Sequence, residues 1–302
     1  MINVDAARSF VHSHARLIDR RQFEHAFDGA PAELVLSAVS AYRNPDGGFG
    51  ALEPDLRTPA SQPIPVRYAL DILATLPKTE QRQTLALDSV AWLATVSNDD
   101  GGVPFVLPSA TEQPAAFWMQ PAPESSLLAT AQLTAAALRL GLDHPWLTAA
   151  AQYCWTHLEA VTPSEAYTFK FVVDFLDATP ERGAADRELD RLAGLVPANG
   201  RIVVSEGVEG EVLDPLSIAP WPGHAGTQLF PSQVLDEAVD ALETGQGADG
   251  GWDFTWEKWN PAAAWEWRGA VTVEALRTLQ AYQRVAPPVP HHVRRTPVES
   301  DG

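Results

Sequence analysis

Arg43-Asn44-Pro45-Asp46-Gly47-Gly48-Phe49-Gly50 is one of three stretches that repeat a single pattern. The others are Asn98-Asp99-Asp100-Gly101-Gly102-Val103 and Gln246-Gly247-Ala248-Asp249-Gly250-Gly251-Trp252. Each copy places an aspartate before two glycines and a large apolar residue after them. Eight residues before the first glycine stand Val39, Leu93 and Leu242, and eleven before stand Leu36, Val90 and Val239. Apolar residues at these offsets mark the buried face of a helix that runs into the turn. The glycines supply the positive φ of a chain reversal. The aspartate closes the turn on backbone N–H groups, and the apolar residue drops between helices as a plug.

A second helix follows each turn after a linker. Val66, Ala69, Leu70 and Leu73 lie at helical spacing, with Ser61 as the expected N-cap. Leu133, Ala136, Ala137 and Leu140 repeat the pattern, and Val273, Leu276 and Leu279 repeat it more loosely. The interval between the second and third turns accommodates three such units, so two degenerate copies are expected there. Their helices fall at 147–158, 166–175 and 187–195, and Asn199-Gly200 reads as a worn turn. Residues 4–18 supply one more helix, and 201–231, rich in Pro and Gly, read as loop with room for one short helix. No run alternates with period two, so strands should be few and short. The predicted fold is all-α, an (α/α) toroid of five to six helical hairpins with Gly-Gly turns. It occupies residues 1–286 as a single domain, and 287–302 read as a disordered tail.

Composition narrows the function. The 302 residues carry a formal charge of −18, with Asp plus Glu 39 against Lys plus Arg 21, which disfavours nucleic acid as a partner. A single cysteine, Cys154, excludes an internal disulfide framework. The N-terminal stretch lacks the pattern of a secretory signal, and the most apolar stretch, 127–142, is broken by Gln132 and Arg139. A cytoplasmic protein without a transmembrane segment is the expectation.

The turn at 43–50 and the turn at 246–252 resemble the QW-type repeat of squalene-hopene and oxidosqualene cyclases, found in looser form in protein prenyltransferase β subunits. Gln246 and Trp252 fit that pattern; Arg43 replaces the Gln in the first copy, and Ser97 and Val103 replace both in the second. The resemblance implies a toroid with an aromatic-lined cavity. It implies a class II terpene cyclase-like enzyme, an isomerase or lyase, acting on a small isoprenoid-like substrate by acid-initiated cyclisation or isomerisation. The family's Asp-x-Asp-Asp acid is missing, and Asp100 belongs to the repeated turn. The prenyltransferase zinc set is also missing, since Gln152 stands two residues before Cys154, so no metal and no cofactor are expected.

The acid must then come from the linkers, where sites on rigid scaffolds are built. The first linker offers Glu53, Asp55 and Arg57, leading to Gln62. The second offers Trp118 and Glu124, and the third Trp256, Trp259, Trp265, Glu266 and Arg268. Five of the ten tryptophans fall between 252 and 267. Asp55, Glu124 and Glu266 are the candidate catalytic acids, expected to surround one mouth with a raised pKa in apolar surroundings. The indoles would stabilise cationic intermediates, and His224 is a candidate substrate ligand. Lys170 and Asp174, at i and i+4, would be a costly pair inside the ring and a routine one outside it. Two other readings stand beside this one. One is a carbohydrate-active toroid, hydrolase or lyase, using paired carboxylates and tryptophan platforms; the other is a non-catalytic ligand-binding toroid.

Overall fold

The computed structural model describes residues 2–205 and 207–286; the expected tail at 287–302 lies outside the described residues. The described residues form twelve α-helices and four strands of two residues each. The helices come in pairs. They are α1 (Val4–His14) with α2 (Leu17–Phe27), α3 (Ala32–Ser40) with α4 (Pro63–Ala74), and α5 (Glu80–Val96) with α6 (Leu127–Arg139). The remaining pairs are α7 (Pro145–His157) with α8 (Ala166–Ala178), α9 (Arg182–Ala193) with the one-turn α10 (Pro215–Ile218), and α11 (Ser232–Thr244) with α12 (Pro261–Ala281). The strands pair as two short antiparallel hairpins, Val103–Pro104 with Ser125–Ser126 and Ile202–Val203 with Val212–Leu213. No described helix is long and apolar enough to cross a membrane.

The three Gly-Gly turns are built alike. Gly47, Gly101 and Gly250 have φ of +95°, +86° and +92°. Asp46, Asp100 and Asp249 each accept, through Oδ1, the N–H of the second glycine, at 3.0, 2.9 and 3.2 Å. The plug residues Phe49, Val103 and Trp252 are all buried. Each turn also presses on the next odd-numbered helix. A Cβ on Gly47 would lie 2.9 Å from the Asp88 carbonyl oxygen of α5; one on Gly101 would lie 2.6 Å from the Ala149 carbonyl oxygen of α7. Gly250 makes the same approach, closer still, to Ala6 of α1. The last turn therefore packs on the first helix. Gln246 fastens that contact, donating to the Asn3 carbonyl at 2.9 Å and accepting the Asn3 N–H at 2.8 Å.

The worn turn behaves as the others do. Gly200 has φ +68°, Asn199 Oδ1 accepts the Arg201 N–H at 3.1 Å, and the glycine abuts Val234 of α11. Three details differ from the sequence reading. Residues 4–18 do not make one helix. The chain breaks at Ala15 because Arg16 swings inward to bond the Leu52 carbonyl at 2.6 Å and Asp19 at 2.8 Å. Ser61 does not cap α4, because its hydroxyl donates instead to Asp46 at 2.8 Å; the cap position is Gln62. Residues 201–231 hold a β-hairpin and a 3-10 turn besides the one-turn helix.

Even-numbered helices α4, α6, α8 and α12 are densely apolar on most of their faces, and α6 is buried from Ala129 to Ala137. Their remaining polar positions turn toward one another. Because Gly47 and Gly250 combine left-handed backbone with contact against a neighbouring carbonyl, alanine there combines strain with a clash. Gly47→Ala and Gly250→Ala should each lower unfolding stability by about 1–3 kcal/mol or more. Gly141→Ala, with positive φ but open space around it, should cost less. Thermal melts of the three variants check the order.

Candidate functional site

The linkers after the Gly-Gly turns meet. Leu56 bridges to Ala115, the Arg57 N–H donates to the Pro114 carbonyl at 2.9 Å, and the Ala116 N–H donates to the Asp55 carbonyl at 2.8 Å. The first and second linkers are thus stitched together by backbone, and the third closes over them. The indole N–H groups of Trp259 and Trp267 both donate to Asp55 Oδ1, at 2.7 and 2.8 Å, and Trp118 adds a weaker donor interaction. Trp256 stands edge-on to Trp267, with centroids 5.1 Å apart, and packs on Phe254 at 4.4 Å. Tyr68 of α4 meets Trp267 from the other side at 5.9 Å.

Asp55 is a buried carboxyl in an indole cage. Burial raises its pKa, and the Trp267, Trp259 and Trp118 donors and Arg57 only partly oppose this. Glu53 is buried more deeply, and its Oε2 has no hydrogen-bond partner. Burial, then the Asp55 charge, push the Glu53 carboxyl well above the usual carboxylate range, against the backbone amides of Asp55 and Leu56 and the Arg16 guanidinium. The Asp55 charge thus adds to burial in raising the Glu53 carboxyl. An unpartnered buried carboxylate oxygen is costly in a native structure and invites a functional account.

The other expected residues scatter. The third linker ends at Asn260, so Glu266 joins the site from α12, through an ion pair of 2.8 Å with Arg57 of the first linker. Gln62 is fully buried and structural, donating to Ser109 Oγ at 2.8 Å and accepting the Leu107 N–H at 2.8 Å. Glu124 is exposed and makes no hydrogen bond to Asp55. Its neighbours are drawn into the turn, where Asn98 bonds the Pro123 carbonyl and Ser125 donates to Asp100, so Glu124 is left on the outer side. Trp265 is 44% exposed and stacks on His14 of α1 at 4.6 Å, away from Asp55. Arg268, one helical step on, clamps the turn carboxylate of Asp249 at 2.8 Å. Residues two apart on a helix face different ways, and Trp267 is the one that faces Asp55.

His224 belongs to a second cluster near the C-terminal ends of α6 and α8. Its Nδ1 accepts the Gly226 N–H at 3.0 Å and its Nε2 meets Asp174 Oδ1 at 3.1 Å. With Nδ1 accepting, Nε2 is the ring nitrogen turned to Asp174. Arg139 reaches Asp174 at 3.2 Å and Asp177 at 3.1 Å. Against the cost of burial, Arg139, then His224, hold Asp174 well below the usual range.

Between these two regions lies a belt of charges that sequence reasoning did not assemble. Arg67 and Asp71 of α4 form an ion pair of 2.7 Å. Facing them electrostatically are Arg139 of α6, Lys170 and Asp174 of α8, and Glu274 of α12. Glu274 remains open to solvent although these groups surround it. The signal was present as charges spaced i, i+4 (Arg67 with Asp71, Lys170 with Asp174) on otherwise apolar helices. Among the described residues no His, Cys, Asp and Glu side chains group as a metal site would require.

Because Glu53 has a raised folded pKa, its contribution is greatest when the carboxyl is protonated. Stability should therefore fall as pH rises through the Glu53 titration. Glu53→Gln should unfold at higher temperature than the parent at pH 8 and flatten that decline. A variant less stable than the parent at every pH would contradict the assignment.

No family model matches the chain, and no curated protein matches it. A crystal structure of a protein from Actinoplanes is similar over 91% of this chain and 88% of its own, with a TM-score of 0.54 and 16% identity. At that identity, the likeness speaks for a shared mostly helical fold.

Proposed function

We propose that this chain is an (α/α) toroid enzyme in which Asp55 acts as an acid on a polar, hydroxyl-rich substrate of the carbohydrate class. The ring is supported by the contact of the Gly250 turn with α1 and by the Gln246–Asn3 pair. Tyr282, just past α12, donates to the Ala219 carbonyl beside α10 at 3.0 Å. In such a ring α2, α4, α6, α8, α10 and α12 are the inner helices, and the Gly-Gly turns share one rim.

The charged belt carries the choice of substrate. A lumen lined by Arg67, Asp71, Arg139, Lys170, Asp174 and Glu274 offers donors and acceptors to hydroxyl groups. It would leave these charges poorly solvated against a hydrocarbon chain. Asp55, whose pKa is raised by its burial, would give its proton to a leaving oxygen. Glu53 would take up and return protons as its coupled partner. The indole donors on Asp55 Oδ1 fix the carboxyl plane, which leaves its orientation independent of substrate.

A specific observation favours a second reading, the acid-initiated isoprenoid cyclisation that the repeat resemblance implies. Trp118, Trp256, Trp259, Trp267 and Tyr68 crowd round Asp55, the setting in which a carbocation is stabilised. The two readings share the acid and differ in the substrate.

Product analysis on a panel of oligosaccharides, and separately on squalene and geranylgeranyl diphosphate, distinguishes them. Wild-type protein should turn over an oligosaccharide, with Asp55→Asn reducing the rate about 10²–10⁴-fold and Glu124→Gln leaving it unchanged. Turnover of the prenyl substrates alone would establish the second reading, and turnover of neither class would make the toroid a binding protein.

A further inference from the structure

Lys170 is anomalous among the charged residues of the belt. Asp174, one turn along α8, is the acid that its spacing would pair with it, but Asp174 is committed to Arg139 and His224. Asp71 is committed to Arg67 at 2.7 Å. Lys170 is left without a hydrogen bond or ion pair among the described residues, its ammonium 5.1 Å from the Phe171 ring centroid. Arg67 lies over the same ring at 5.2 Å. The amine thus shares one aromatic ring with a second cation, while Asp174 and Asp71 are engaged elsewhere.

We propose that Lys170 is a nucleophilic amine that captures a small aldehyde or ketone as an imine in the space between α4, α6, α8 and α12. The groups facing it are Arg67 and Asp71 of α4, Asp174 on its own helix and Glu274 of α12, with Arg139 of α6 behind Asp174. Burial, then Arg67, favour the uncharged amine; Asp174, Glu274 and Asp71 oppose them without prevailing, so the amine loses its proton more easily than an exposed lysine.

The chemistry needs no further reagent. The amine nitrogen adds to the carbonyl carbon, and the carbonyl π electrons move to oxygen. A proton passes from nitrogen to that oxygen, which gives a carbinolamine. The C–O bond then breaks as the hydroxyl takes a proton and leaves as water, and the nitrogen lone pair closes the C=N bond. Glu274 is suited to supply that proton. The protein packed around it raises its carboxyl against the pull of Lys170 and Arg67, while its exposed side chain keeps contact with solvent into which water can leave. Nothing in this step involves Asp55.

The chain has only three lysines, which makes the test direct. Lys78 and Lys258 are exposed. The full-length protein is treated with glycolaldehyde and cyanoborohydride at pH 7 and pH 9, and reduced adducts are mapped by peptide mass spectrometry. The neutral fraction of an ordinary lysine rises about tenfold per pH unit in this range. Lys170 should carry the most adduct at pH 7, and its excess over Lys78 and Lys258 should shrink at pH 9. Asp55→Asn should label as the parent does, so failure of the acid site leaves this result untouched. Glu274→Gln should slow adduct formation at Lys170 alone. Labelling of Lys78 and Lys258 ahead of Lys170 at both pH values would overturn the proposal, as would an adduct at Lys170 with the same pH dependence as theirs.

Discussion

Everything in this molecule hangs on a close approach of backbone to backbone. Each Gly-Gly turn touches the carbonyl of the next odd-numbered helix at a distance that no side chain permits. The positive φ of the first glycine and the missing Cβ are both needed, one for the reversal and the other for the contact. The aspartate then holds the turn shut, and its other partners differ between copies. They are Ser61 in the first turn, Ser125 in the second and Arg268 in the third. The third turn meets α1 in place of a later helix, so the same local geometry that spaces neighbours also brings the Gly250 turn against the first helix. Gln246 is the side chain that the third turn adds for this purpose, with hydrogen bonds to Asn3 and to the Gly250 carbonyl.

That constraint determines where chemistry can be placed. The turns deliver their linkers to the same neighbourhood, and there a carboxyl from the first linker meets indoles from the second linker, the third linker and α12. The residues 204 and 212 positions away from Asp55 become its hydrogen-bond donors. Burial of Asp55 is affordable because indoles are apolar bodies with one donor each, which satisfy the carboxyl without neutralising it. Glu53 lacks such partners on Oε2 and is accordingly the more strongly perturbed of the two.

The turns and helices were legible because they depend on short-range patterns. Asp-Gly-Gly, apolar offsets of eight and eleven, and i, i+4 spacing all lie within about three helical turns of each other. Even the worn copy at Asn199-Gly200 was readable, since Asn can form the same Asx turn as Asp. The meeting of the linkers was expected from the repeat, but Trp267, which bonds Asp55, was not among the candidates. What failed depended on facing. Trp265 and Arg268 lie within three residues of Trp267 on α12 yet serve α1 and the turn, because helix phase decides which reaches the interior. Glu124 was misplaced because its neighbours are pulled into the turn. The charge belt went unassembled because it joins four helices far apart in sequence, and no local pattern reports that their polar positions face one another.

The central claim is that the contact of the last turn with α1 makes the first and last helices part of one cooperative unit. Native-state hydrogen exchange measures this residue by residue. Amides in the middle of α1, such as Phe10 and Val11, should open with the same free energy as amides in the middle of α12, such as Val273 and Leu276, and both should match global unfolding. Exchange of the α1 amides at a markedly lower free energy, with α12 still protected, would show that α1 is an appendage and that the Gly250 contact does not couple it to α12.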